Sequence, residues 1–142
     1  MKIAGTTVLP FPPERSYELM QDPKVLAGAM PGCEALELIG PDEYKMKMKM
    51  ALASFSGAFE GKVRITEQNP PTGFKLLVEG TGKLGFMKGE GLIHLAPADT
   101  GTTVTYEGEV QVGGTIAAVG QRLIDGTSKM MIKRFFEKLA AS

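Results

Sequence analysis

The sequence predicts an α+β domain in which a curved antiparallel sheet wraps around one long C-terminal helix. Three observations carry that expectation. Tyr44, Met46, Met48 and Met50 alternate with Lys45, Lys47 and Lys49, the period-two signature of a strand with one buried face. Five or six strand-like segments follow one another with only short turns between them, so neighbours pair antiparallel. After Gly113-Gly114 the period changes to 3.6, with Ile116, Val119, Leu123, Ile124, Met130, Met131 and Phe135 on one broad apolar stripe.

Taken in order, residues 2–9 are rich in Thr and aliphatics and read as a first strand, ended by Pro10-Phe11-Pro12-Pro13. Proline is tolerated in the first turn of a helix, so residues 13–20 read as a short helix. Asp22-Pro23 repeats that signal, with Asp22 as cap and a second short helix through Ala29, closed by Met30-Pro31-Gly32. Strands are expected over 34–39, 44–52, 58–67, 74–79, 86–95 and 102–112. In the 44–52 strand the methionines must face inward, because burying unpaired ammonium groups costs several kcal/mol each whereas burying a Met gains about 1.5–3 kcal/mol. In the next, Phe59, Val63 and Ile65 point inward and Glu60, Lys62 and Arg64 outward. Thr115 is placed to cap a helix from Ile116 to about Leu139, roughly 36 Å long at 1.5 Å per residue. Gly120 and Gly126 weaken that helix and permit a bend or a close approach.

The composition narrows the class. At 142 residues without repeats or linkers, the chain reads as a single domain, residues 1–142. Sixteen basic residues balance sixteen acidic ones, so the counterion-displacing excess of a general nucleic-acid binder is missing. One cysteine, Cys33, rules out an intramolecular disulfide and fits a reducing, cytoplasmic setting. The first residues lack the apolar run of a signal peptide, and no stretch approaches the roughly 18 apolar residues that cross a bilayer. Nine methionines and 18 glycines suit an adaptable pocket wall and a bent sheet.

No catalytic or metal centre emerges from the pattern. Gly80-Thr81-Gly82-Lys83-Leu84-Gly85 matches the string of a dinucleotide fingerprint, but a strand and not a helix follows it. The glycines are expected to form a hairpin and bulges. Cys33 and His94 are the sole thiol and imidazole and nothing brings them together, which leaves neither a nucleophilic pair nor a metal set. Glu90, Glu107 and Glu109 read as solvated carboxylates. On the outer face of the long helix, Arg122, Lys129 and Lys133 fall together, with Ile132 and Phe136 beside them. Arg122, Lys129, Lys133 and Phe136 are the candidate contact with an anionic membrane or a partner, although three cations contribute only about 3 kcal/mol at a lipid surface.

The order of elements resembles the helix-grip fold of the START/Bet v 1-like superfamily. Within it the sequence resembles the carbon monoxide dehydrogenase G-subunit (CoxG) family over nearly its whole length. The matching segments are Pro12-Pro13-Glu14-Arg15, Asp22-Pro23 with Leu26, Pro31-Gly32-Cys33-Glu34, Val112-Gly113-Gly114, Gly120 with Arg122-Leu123-Ile124-Asp125-Gly126, and Phe135-Phe136. Tyr17 stands where family members usually carry Trp. Some members have a further tail with a membrane-attaching segment, and this sequence stops at Ser142, which weakens the implication of membrane attachment.

The resemblance implies a non-catalytic protein working beside a molybdenum-containing carbon monoxide dehydrogenase or a related hydroxylase. It implies a role in coupling that enzyme to the membrane or its electron acceptor, on the cytoplasmic side and with peripheral contact at the inner face. No covalent or metal cofactor is expected; an isoprenoid quinone or similar lipid is the expected ligand. Its cavity is expected to be walled by Tyr44, Met46, Met48, Met50, Phe59, Val63, Phe74, Leu76, Phe86 and Tyr106 from the sheet. Val119, Leu123, Met130, Met131 and Phe135 supply the helix side. Two alternatives stand beside this reading. One is an adaptor whose cavity is simply packed core; the other is a small cyclase or isomerase with Glu90, His94 or Tyr106 inside.

Overall fold

In the computed structural model, residues 1–52 and 55–142 are described. The elements run β1 (Lys2–Leu9), α1 (Pro13–Gln21), α2 (Pro23–Ala29), β2 (Cys33–Gly40), β3 (Glu43–Leu52), β4 (Phe55–Asn69), β5 (Gly73–Gly82), β6 (Gly85–Ala98) and β7 (Gly101–Gly113). A 3-10 turn (Thr115–Val119) and α3 (Gln121–Ala140) complete the chain. The seven strands form one antiparallel sheet in the order β1-β7-β6-β5-β4-β3-β2. Every turn from β2 to β7 joins spatial neighbours, and β1 closes onto β7 with Lys2 opposite Glu109 and Leu9 opposite Thr102.

The two short helices start where proline and aspartate put them. Pro13 opens α1, and the Asp22 carboxylate accepts a hydrogen bond from the Lys24 amide at 2.9 Å to cap α2. The turn before α1 is tied down at one point. The Phe11 carbonyl accepts from the Ser16 hydroxyl at 3.1 Å and the Thr102 hydroxyl at 2.6 Å, both residues fully buried. A buried hydroxyl needs such a partner, which is why these two are tolerated in the core.

The long helix departs from expectation. Gly120 sits at φ 98° and Gly114 at φ 83°, in the left-handed region that glycine alone enters freely. These two residues bracket Thr115–Val119, so the segment forms a separate 3-10 turn and α3 begins only at Gln121. Thr115 does not cap a helix; Gly114 stands at that position without a side-chain bond. The remaining 20 residues of α3 span about 30 Å. Gly126 stays inside α3.

The apolar interior falls into two clusters. The larger one joins Leu9, Leu19, Met48, Phe74 and Val104 to Phe136 and Leu139 near the end of α3. The smaller holds Phe59 and Ile116, flanked by Met50, Leu84 and Val112. The Ile116 amide donates to the Leu84 carbonyl at 2.6 Å, which ties the 3-10 turn to the β5–β6 hairpin.

Candidate functional site

Between the inner face of the sheet and the first half of α3 lies a cavity of about 50 Å³. Strand alternation builds its sheet side. Met46, Met48 and Met50 project from β3, Phe59 and Gly61 from β4, Gly80 from β5, Met87 from β6, and Val110 and Val112 from β7. Ile116 closes one end, and Ile124, Thr127 and Ser128 form the helix wall. Glu60 also borders it, but its carboxylate turns to the other face of the sheet, 3.8 Å from Lys47.

Glycine makes the room. Gly61 and Gly80 are paired across β4 and β5, and neither puts a side chain into the space. They are not equivalent, however. A Cβ on Gly61 would run into the Glu79 carbonyl, whereas one on Gly80 would meet nothing closer than the Glu60 carbonyl at 3.7 Å. Glycine is therefore required by the backbone at Gly61, while at Gly80 it leaves room unfilled.

Four of the expected lining residues, Met46, Met48, Met50 and Phe59, border the cavity. Tyr44, Val63 and Phe74 are buried in the larger cluster, and Leu76, Tyr106, Met131 and Phe135 pack against it half-buried. Tyr106 stacks on Phe136 at 5.6 Å, and Phe135 meets Phe136 edge-on at 5.1 Å. Val119 is half-buried in the 3-10 turn, away from the lining.

Three expected lining residues do not face inward. Phe86 is 47% exposed, Leu123 38% and Met130 45%. Register explains Phe86: it shares strand parity with Lys88 and Glu90, so its neighbour Met87 takes the inner position opposite Gly80. Helical phase explains the others. At about 100° per residue, Leu123 and Met130 lie roughly 100–120° around α3 from Ile124.

The outer-face expectation is corrected at one residue. Arg122, Lys129 and Lys133 are exposed, with Lys129 paired to Asp125 at 3.0 Å. Phe136, expected beside them, is only 8% exposed, because the inward arc of α3 turns toward Phe136 and Leu139 in its second half.

The lining residues that sequence reasoning misses are Gly61, Gly80, Met87, Val110, Val112, Ile116, Ile124, Thr127 and Ser128. Parity with the charged residues of β6 is the available signal for Met87. No sequence signal marks Thr127 and Ser128. Neither hydroxyl has a hydrogen-bond partner among the described residues.

The remaining reactive groups stand apart. Cys33 on β2 and His94 on β6 are separated by three strands. Burial pushes the Cys33 thiol above its ordinary pKa, with a weak bond to the Ala35 carbonyl acting the other way. Glu90 is exposed and held 3.5 Å from Lys75, and Glu107, Glu109 and His94 are exposed as well. Among the described residues, no group of three or more His, Cys, Asp or Glu side chains is arranged to hold a metal. No helix among them is long and apolar enough to cross a membrane.

A curved antiparallel sheet closed around a C-terminal helix, with two short helices after the first strand, is the START/Bet v 1-like helix-grip fold. Two solved structures show it at low sequence identity. Ara h 8.0201 has a TM-score of 0.69 and 14% identity, covering 99% of this chain and 95% of its own. The Zhui aromatase/cyclase from Streptomyces sp. R1128 has a TM-score of 0.66 and 11% identity, covering 99% and 92%. The chain belongs to the carbon monoxide dehydrogenase G-subunit (CoxG) family, which it matches over residues 5–142. A conserved protein from Geobacillus kaustophilus is similar at 37% identity and a TM-score of 0.95, covering 99% of this chain and 93% of that one. No curated protein matches the sequence.

Proposed function

We propose that this chain is a non-catalytic carrier that holds an apolar small molecule, an isoprenoid quinone or similar lipid, between its sheet and α3. In this reading it exchanges the molecule with a molybdenum-containing carbon monoxide dehydrogenase at the cytoplasmic face of the membrane, linking that enzyme to its electron acceptor. The observation that carries the proposal is the cavity wall. Four methionines, Met46, Met48, Met50 and Met87, line it together with an unfilled Gly80. Pockets for drug-sized ligands measure about 300–1,000 Å³, so an occupant must displace side chains, and thioether chains re-pack at little cost. Burial contributes about 0.8 kcal/mol per methylene, so a few isoprene units suffice for binding without a polar motif. The CoxG family name supports the link to the dehydrogenase.

The small volume, about 50 Å³, favours a second reading, an adaptor that recruits or matures the dehydrogenase with its interior closed. Native mass spectrometry of the isolated protein, followed by titration with a short-tailed isoprenoid quinone, separates the two. The carrier reading expects bound lipid mass or quinone binding in the wild type. It also expects loss of binding in Gly80→Leu, whose Cβ meets nothing closer than 3.7 Å, with thermal unfolding checking that the fold is retained. No bound lipid and no quinone binding in the wild type would overturn the carrier and leave the adaptor.

A further inference from the structure

The first half of α3 presents its side chains against the usual rule. Amphipathic helices turn apolar residues to the core and polar ones to water. Here Leu123 and Met130 face outward, while Thr127 and Ser128 face the cavity. The geometry of the inner face is regular. Thr127 and Ser128 lie three and four residues after Ile124, and Met131 lies three or four residues after them, so all four share one side of the helix. Along that side the sequence is apolar, hydroxyl, hydroxyl, apolar.

Among the described residues, the sheet side opposite the two hydroxyls offers carbon, sulfur or bare backbone: the β3 methionines, Phe59, Gly80 and Met87. The Glu60 carboxylate is engaged with Lys47 on the far face of the sheet. Helical Ser and Thr often bond the carbonyl one turn back, which here means Leu123 and Ile124. Ser142 makes such a bond to Lys138; Thr127 and Ser128 do not. Two half-buried hydroxyls therefore border an apolar space without a protein partner among the described residues.

We infer that the Thr127 and Ser128 hydroxyls recognise a carbonyl oxygen on the ligand, so that the cavity selects an apolar molecule with a carbonyl-bearing end over a plain hydrocarbon. The inference rests on the carrier reading above and adds the chemistry of the ligand's polar end. A quinone ring and an ester-linked lipid both offer such an oxygen.

The test is a binding titration with three probes of matched length: a short-tailed isoprenoid quinone, a fatty-acid ester, and a prenylated benzene that lacks oxygen. Each is measured on the wild type, on Thr127→Val with Ser128→Ala, and on Thr127→Ser. Thermal unfolding of each variant checks that the fold is intact; valine keeps the shape of threonine. The double variant should lose about tenfold in affinity for the carbonyl probe that fits. It should bind the hydrocarbon unchanged or better, and Thr127→Ser should stay within about twofold of wild type. Which carbonyl probe responds identifies the source. An equal loss for all three probes, or no loss for any, overturns the role of the hydroxyls and leaves the carrier standing. Failure of the wild type to bind any probe overturns the carrier and this inference together.

Discussion

The two halves of α3 do different work. Its second half is an anchor: Leu139 is fully buried and Phe136 nearly so, stacked on Tyr106 and meeting Phe135 edge-on. Its first half is a wall. Ile124, Thr127 and Ser128 border a cavity, and Leu123 and Met130 face solvent. The same division runs through the sheet. The end under α1 and α2 is closed by Tyr17 edge-on to Phe74 and by the Tyr17 hydroxyl bonded to Gln68 at 3.1 Å. Among the described residues, the end under the 3-10 turn has the small cluster around Phe59 and Ile116. One helix thus holds the fold together with half its length and leaves the other half beside a cavity.

The largest expected difference between the halves is in stability. Leu139→Ala removes a fully buried side chain and should cost about 2–5 kcal/mol. Ile124→Ala, half-buried beside existing space, should cost about 1 kcal/mol. Denaturant unfolding of both measures it, and equal losses would break the comparison.

Alkaline pH tests the closed end. Burial, with nearby Asp42, pushes the Tyr17 hydroxyl above the ordinary tyrosine value; burial, then Asp42 and Asp22, does the same at Tyr44. A raised pKa means that the native state holds these protons more tightly than the unfolded chain. The stabilisation is complete below the ordinary value of about 10 and is lost as pH rises through the native values. Stability should therefore fall above about pH 10, and Tyr44→Phe should reduce the pH-dependent part of that fall. An unchanged pH profile in that variant would remove Tyr44 from the account.

The smallest effect belongs to the outer side of the wall. Replacing Leu123 or Met130 with alanine should change stability by no more than about 0.5 kcal/mol. A larger loss would show that these residues are held by contacts beyond the exposed face.

Much of this is legible in the residues. The strand core of each β element reads to within a few positions, because alternation with charge fixes which side is buried: Lys45, Lys47 and Lys49 put Met46 and Met48 inside. The same rule, applied to Lys88 and Glu90, excludes Phe86 from the interior and admits Met87. The helix is harder. The expected stripe from Leu123 to Met131 spans so wide an arc that only the position of the sheet decides which part is buried. Gly120 announces a weakness, but its positive φ, and with it the break before α3, depends on how the chain leaves β7. Whether the interior is filled depends on volumes and not on periodicity, so the cavity itself is not legible.

The placement of the glycine pair Gly114 and Gly120 has a mechanical consequence. They place backbone conformations open to glycine before the end of α3 that forms the wall, while Phe136 and Leu139 bury the other. A rod about 30 Å long acts as a lever: a tilt of about 6° at its fixed end carries its free end through about 3 Å. That travel is the thickness of a flat ring, and rotation at Gly120 alone would supply it while leaving the Ile116–Leu84 tie, the strand pairings and the aromatic anchor in place.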